Sequence, residues 1–257
     1  ANYNTAVGNQ ALEQNTTGTQ NVAVGAFALD ANTTASNNTA FGYASLGANT
    51  TGTEGTAVGH NSLAANTTGD RNTALGQSAL VSNTTGATNT AVGHDSLFSN
   101  TTASNNVAVG KDALYYNTTG TQNVAVGSKS LDANTTGGEN VALGYEALTK
   151  NTTASQNTAV GAYALEDNTT GTRNTAVGTF ALEYNTDSNN TAVGYQAMGA
   201  NTTGDSCTAV GEQALDANTT GDNNTAIGRD ACGQQTTASS NTAVGTNALY
   251  TNTASNN

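Results

Sequence analysis

Asn4-Thr5-Ala6-Val7-Gly8 returns as Asn21-Val22-Ala23-Val24-Gly25, as Asn38-Thr39-Ala40-Phe41-Gly42, and so on to Asn241-Thr242-Ala243-Val244-Gly245. The closing glycine occurs fifteen times at a spacing of seventeen residues, shortened to sixteen only between Gly178 and Gly194. Self-similarity at a fixed period is the signature of a repeat architecture, in which each unit buries its apolar side only against its neighbours. The motif itself reads as a short strand. Ala at its centre, with Thr or Val before it and Val, Leu, Ile or Phe after it, alternates between two faces with period two.

The rest of the repeat supplies the other parts of a coil. Three residues after each glycine comes Ala or Ser, then Leu, as at Leu12, Leu29, Leu46 and Leu63, replaced only by Met198 and Cys232. Two free positions follow, then a polar segment, Asn-Thr-Thr-Gly or Asn-Thr-Thr-Ala-Ser. There Asn and Gly are expected to make the turn because both tolerate positive φ. Seventeen residues suit one lap of two short strands and two turns. Stacking laps at about 4.8 Å pairs each strand with its equivalent, and Asn and Thr then hydrogen-bond along the axis. The sequence therefore predicts an all-β fold: a parallel β-solenoid of about fifteen coils spanning 1–257 as one repetitive unit, a segment of a longer fibre or filament. Both one-residue deletions, near Asn185-Thr186-Asp187 and Asn252-Thr253-Ala254, fall in the polar turn, where a coil absorbs length changes.

Which strand face is interior is decided by size. The Thr5 and Val7 rows carry the larger or β-branched side chains and are expected to fill the core. The Ala6 row is then expected to lie against another chain, because a wetted face would show Ser, Lys or Glu somewhere in fifteen copies. Homo-oligomerisation follows from that assignment.

Composition bounds the function. The net charge is -12, and Arg71, Lys111, Lys129, Lys150, Arg173 and Arg229 are scattered, which excludes nucleic acid as a partner. No apolar run is long enough to span a membrane as a helix. Charged residues make up 9% and aromatics 5% with no Pro, a composition that without its phasing would read as disordered.

The motif resembles the head repeats of trimeric autotransporter adhesins of the YadA type, and is similar to repeats in phage tail fibres that end in a self-cleaving chaperone domain. The resemblance covers essentially the whole chain. It implies a left-handed parallel β-roll with three chains side by side, Val7-type and Thr5-type residues filling each roll, and Ala6-type residues facing the neighbours. The repeat here is longer by its Asn-Thr-Thr-Gly turn, and no neck, stalk, anchor or chaperone domain is seen in this sequence.

Catalytic and cofactor readings find no support. His60 and His94 each follow a motif glycine two coils apart, about 9.6 Å by strand spacing, too far to share a metal. Cys207 replaces the motif Asn and Cys232 the core Leu, in different phases of adjacent coils, so no bridge is expected. Acidic residues sit at free positions and form no calcium-binding nonapeptide. Twelve Asn-Thr-Thr triplets are formal glycosylation acceptors, but a turn ladder produces the same pattern. No catalytic, cofactor or metal residue is assigned. The candidate surface is aromatic: Phe98, Tyr115 and Tyr116, suited to a cell-surface glycan or protein, or equally to packing between chains.

The expected function is a non-enzymatic structural and adhesive fibre, a surface adhesin head or viral tail-fibre shaft. It would be homotrimeric and extracellular, on a cell surface or virion. Two alternatives stand beside it. Uncapped end coils suit a filament subunit that stacks head to tail. Regular Thr rows suit an ice- or surface-binding solenoid, although Thr16 and Thr17 point to opposite faces and the Thr5 row is expected to point inward.

Overall fold

The computed structural model describes residues 2–257. They fall into two compact units, 2–128 and Lys129–Asn257. The first contains eight three-residue strands: β1 (Thr5–Val7), β2 (Val22–Val24), β3 (Thr39–Phe41), β4 (Thr56–Val58), β5 (Thr73–Leu75), β6 (Thr90–Val92), β7 (Val107–Val109) and β8 (Val124–Val126). The second contains β9 (Val141–Leu143), β10 (Thr158–Val160), β11 (Thr175–Val177), β12 (Thr191–Val193), β13 (Thr208–Val210), β14 (Thr225–Ile227) and β15 (Thr242–Val244). Within each unit consecutive strands pair in parallel and in register. Ala6 lies opposite Ala23, for example, and Ala159 opposite Ala176. No helix occurs among the described residues. The chain is a parallel β-solenoid of about fifteen coils, each lap of about seventeen residues landing on its predecessor.

Three expectations are corrected. Each coil has one strand, not two. The segment around each Leu makes coil-to-coil hydrogen bonds, such as Leu29 N–H to the Ser45 carbonyl at 3.1 Å, but its backbone is left-handed at alternate residues. In the second coil Gly25 (φ 137), Phe27 (φ 59) and Leu29 (φ 50) take positive φ. For an L-residue that conformation costs about 1–2 kcal/mol. Burying Leu29 completely and pairing its amide offset that cost.

The Asn-Thr-Thr-Gly turn, secondly, does not use positive φ at its Asn or its Gly; the further left-handed residue is Asn37, just before the motif. Thirdly, the strand faces are the reverse of those expected. Ala23, Ala40 and Ala57 are wholly buried, whereas Val7 is 56%, Phe41 55% and Ile227 42% exposed. Volume is the reason. A seventeen-residue lap encloses a narrow interior, already filled in the second coil by Ala28, Leu29, Asn21 and Asn32, all fully buried. Only a methyl group fits on the inward side of the strand. The Ala row therefore belongs to the chain's own core and faces no neighbouring chain.

Two buried Asn rows hold the coils together. Asn21 Nδ2 donates to the Ala35 carbonyl (2.9 Å), while its Oδ1 accepts from the Asn38 amide of the next coil (2.9 Å). Asn32 Nδ2 reaches the same Ala35 carbonyl (3.2 Å) and also Asn15 Oδ1 one coil back (2.9 Å). Both rows thus satisfy one carbonyl per lap, together with the next amide and the previous amide oxygen. Thr joins in outside: Thr50 Oγ1 donates to the Thr67 carbonyl at 3.0 Å. The axial hydrogen bonding of Asn and Thr read from the sequence is present.

The deletion after Asn185 removes one Thr and leaves the clamp intact, since the Asp187 carbonyl accepts from Asn174 (2.8 Å) and Asn185 (2.7 Å). It does cost an axial bond: Asn168 Oδ1 is buried without a partner. Asn218 Oδ1 is orphaned likewise, where Gln235 replaces the next Asn and spends its amide on the Ala238 carbonyl. Orphans in this row appear where the repeat is broken.

Candidate functional site

With Ala, Leu and Asn inside, the outer side of each strand is left to function. Its two rows are Thr or Val before the alanine and Val, Leu, Ile or Phe after it, with no charged residue on any of fifteen strands. Residues two apart on a strand share a face about 6.8 Å apart, and the rows repeat about every 4.8 Å from coil to coil. β-branched side chains are stiff at χ1, so the array is rigid as well as regular. The glycine that ends each strand keeps this geometry tight. A Cβ built on Gly93 (φ +135) would stand 2.5 Å from the Gly110 carbonyl oxygen.

Phe98, Tyr115 and Tyr116 do come together. Phe98 and Tyr115, one coil apart, stack with centroids 4.9 Å apart and planes 4° apart, and Tyr116 meets Tyr115 edge-on at 4.6 Å. Rings stacked coil on coil cover each other's faces, so this cluster offers mainly edges and the 53%-exposed Tyr116. Two further aromatic runs assemble from residues at the free positions after the motif glycines. Phe27, Tyr43 and His60 form one, with Tyr43 and His60 nearly parallel at 5.2 Å. Tyr145, Tyr163, Phe180 and Tyr195 form the other, at centroid separations of 5.4, 5.2 and 6.1 Å. Carboxylates border the second run. Glu146 accepts a hydrogen bond from Tyr145 that raises the phenol's pKa, and burial followed by nearby acids pushes Glu166 up despite Lys150.

Comparison with family models, curated proteins and solved structures gives no match. The site is therefore read from its own geometry.

The histidines part company. His60 stacks on Tyr43, whereas His94 Nδ1 lies 2.9 Å from Asp95 Oδ2. Asp112, one coil further on, completes a group whose ligand atoms all lie within 4.8 Å of one another. Testing the histidines only against each other missed this grouping; the signal was His-Asp followed seventeen residues later by Lys-Asp.

Both cysteines are free and buried. Cys207 stands in for the motif Asn, its thiol meeting the Gly221 carbonyl at 3.2 Å and receiving the Asn224 amide at 3.4 Å. Burial pushes this thiol up to about 11, which makes it a poor nucleophile. The Asn-Thr-Thr asparagines from Asn32 to Asn218 are buried with their amides engaged, so the triplets serve packing. No helix among the described residues is long and apolar enough to cross a membrane.

Proposed function

We propose that the chain is a non-catalytic shaft, structural and adhesive, that associates with further copies of itself through the outer Thr/Val face of its strands. The observation that carries this is the uncharged outer face, a Thr/Val row beside an apolar row, with Phe41 and Ile227 exposed on strands paired on both sides. Apolar side chains exposed in a row mark an interaction surface. Its rows repeat at the strand spacing, and a second copy presents the same spacing, so each coil finds an equivalent opposite it. Three copies, a left-handed roll and an extracellular setting on a cell surface or virion are the forms implied by the adhesin and tail-fibre repeats the motif resembles. Phe98, Tyr115 and Tyr116 would then be the patch for a glycan or protein target.

Sedimentation equilibrium tests the reading. The native chain is expected at three times 25.6 kDa, and the Val58→Lys/Val92→Lys double variant at the single-chain mass with unchanged far-ultraviolet circular dichroism. A native chain that sediments as a monomer contradicts it.

A second reading has one observation in its favour. The Thr5-type row points outward, against expectation, and repeats from coil to coil as a row that could face ice or another crystal surface. Thermal hysteresis and ice shaping by the native chain would favour this reading; their absence removes it.

A further inference from the structure

We propose that His94, Asp95 and Asp112 form a site for one divalent transition-metal ion of the zinc class, joining two successive coils. Imidazole nitrogen with carboxylate oxygen is a donor set used for zinc, and three protein ligands leave further positions for water.

The geometry is close to what such an ion needs. Two donors each about 2.1 Å from a tetrahedral zinc ion lie roughly 3.4 Å apart. His94 Nδ1 and Asp95 Oδ2 are separated by 2.9 Å. The three ligand atoms lie within 4.8 Å of one another, so side-chain rotations on a fixed backbone bring the set to the tetrahedral spacing of about 3.4 Å.

The backbone beneath the three side chains is already fixed. The Asp112 amide donates to the His94 carbonyl at 3.1 Å, and the Asp95 amide to the Gln77 carbonyl at 3.1 Å. Asp95 (φ 56) and Asp112 (φ 57) occupy the same left-handed position of consecutive coils, which stacks their carboxylates. A backbone fixed in this way leaves only side-chain rotation to be made when the ion arrives.

One cation competes for the site. Lys111 Nζ lies 3.3 Å from Asp112 Oδ2, and its side chain is 64% exposed. An exposed pair of this kind contributes little and yields to a divalent ion. Because His94 and Asp95 belong to the sixth coil and Asp112 to the seventh, a bound ion cross-links them and stabilises the folded form by linkage.

Titration of the full chain with zinc chloride by calorimetry, and with cobalt(II) followed by its visible absorption, tests the proposal. One equivalent per chain is expected. His94→Ala and Asp112→Asn should each weaken binding by more than the ~10–100-fold typical of losing an outer partner of a metal ligand. Lys111→Ala should strengthen it, and His60→Ala, which alters only the ring stacked on Tyr43, should leave it unchanged. Circular dichroism of each variant reports whether the fold is kept. Absence of binding, binding that survives His94→Ala in a folded variant, or several equivalents indifferent to His94 would overturn the assignment.

Discussion

The two faces of one three-residue strand obey opposite rules. Inward, Ala is present in all fifteen copies and a buried Leu, Met or Cys packs nearby in the same lap. Outward, Thr exchanges with Val, and Val with Leu, Ile or Phe, without disturbing the register. The inner face is set by available space and by hydrogen bonds that have no alternative partner. The outer face is held only to being uncharged and stiff. Invariance in this molecule marks confinement, and size does not.

Substitutions sharpen that contrast. Among substitutions that introduce no charge, the largest effect is expected at the hinge between the faces, where Gly93→Ala drives a Cβ to 2.5 Å from the Gly110 carbonyl oxygen at a φ of +135. Strain and clash together should cost about 4 kcal/mol, measured as a lowered urea midpoint. Asn100→Ala comes next. It removes one of two acceptors from Asn117 Nδ2 (3.0 Å), one of two donors from the Ala103 carbonyl (3.1 Å) and the donor to Asn83 Oδ1 (2.8 Å). With three buried hydrogen bonds lost and Asn83 Oδ1 left unpaired, the expected loss is about 3 kcal/mol.

Cys207 probes the same interior through pH. Its thiol ionises near 9.0 when unfolded and at about 11 when folded. The stability this difference represents is complete below pH 9 and is lost as pH rises toward 11, because the unfolded thiol gives up its proton first. The difference in stability between the native chain and Cys207→Asn should change by roughly 2–3 kcal/mol across that window, with the Asn variant gaining relative to the native chain. The smallest effect belongs outside: Val107→Thr should alter stability by no more than about 0.5 kcal/mol in chemical denaturation.

The repeat length, the parallel stacking, the axial Asn and Thr bonds and the tolerance of the turn to deletion were legible in the sequence, because all follow from period and residue type. The choice of interior face was not. Alternation assigns Thr5, Ala6 and Val7 to two faces without saying which is inside, and reasoning from side-chain size selected the wrong one. The interior volume left by Leu29, Asn21 and Asn32 decides it, and that volume depends on the whole lap. The left-handed backbone at Phe27 and Leu29 was equally hidden, since neither residue type signals it. For the candidate surface, Phe98, Tyr115 and Tyr116 could be picked out as aromatic, but only the stacking of coils shows that Phe98 and Tyr115 cover each other. The His94, Asp95 and Asp112 group required noticing a like position one full period away.

The most direct measurement of the inside-outside assignment compares Ala91→Asp with Val92→Asp, adjacent residues on one strand, by circular dichroism and urea unfolding. The structure predicts that a carboxylate at position 91 collapses the fold while one at 92 leaves the coil folded, even where it separates copies of the chain. Greater damage from Val92→Asp than from Ala91→Asp would contradict it.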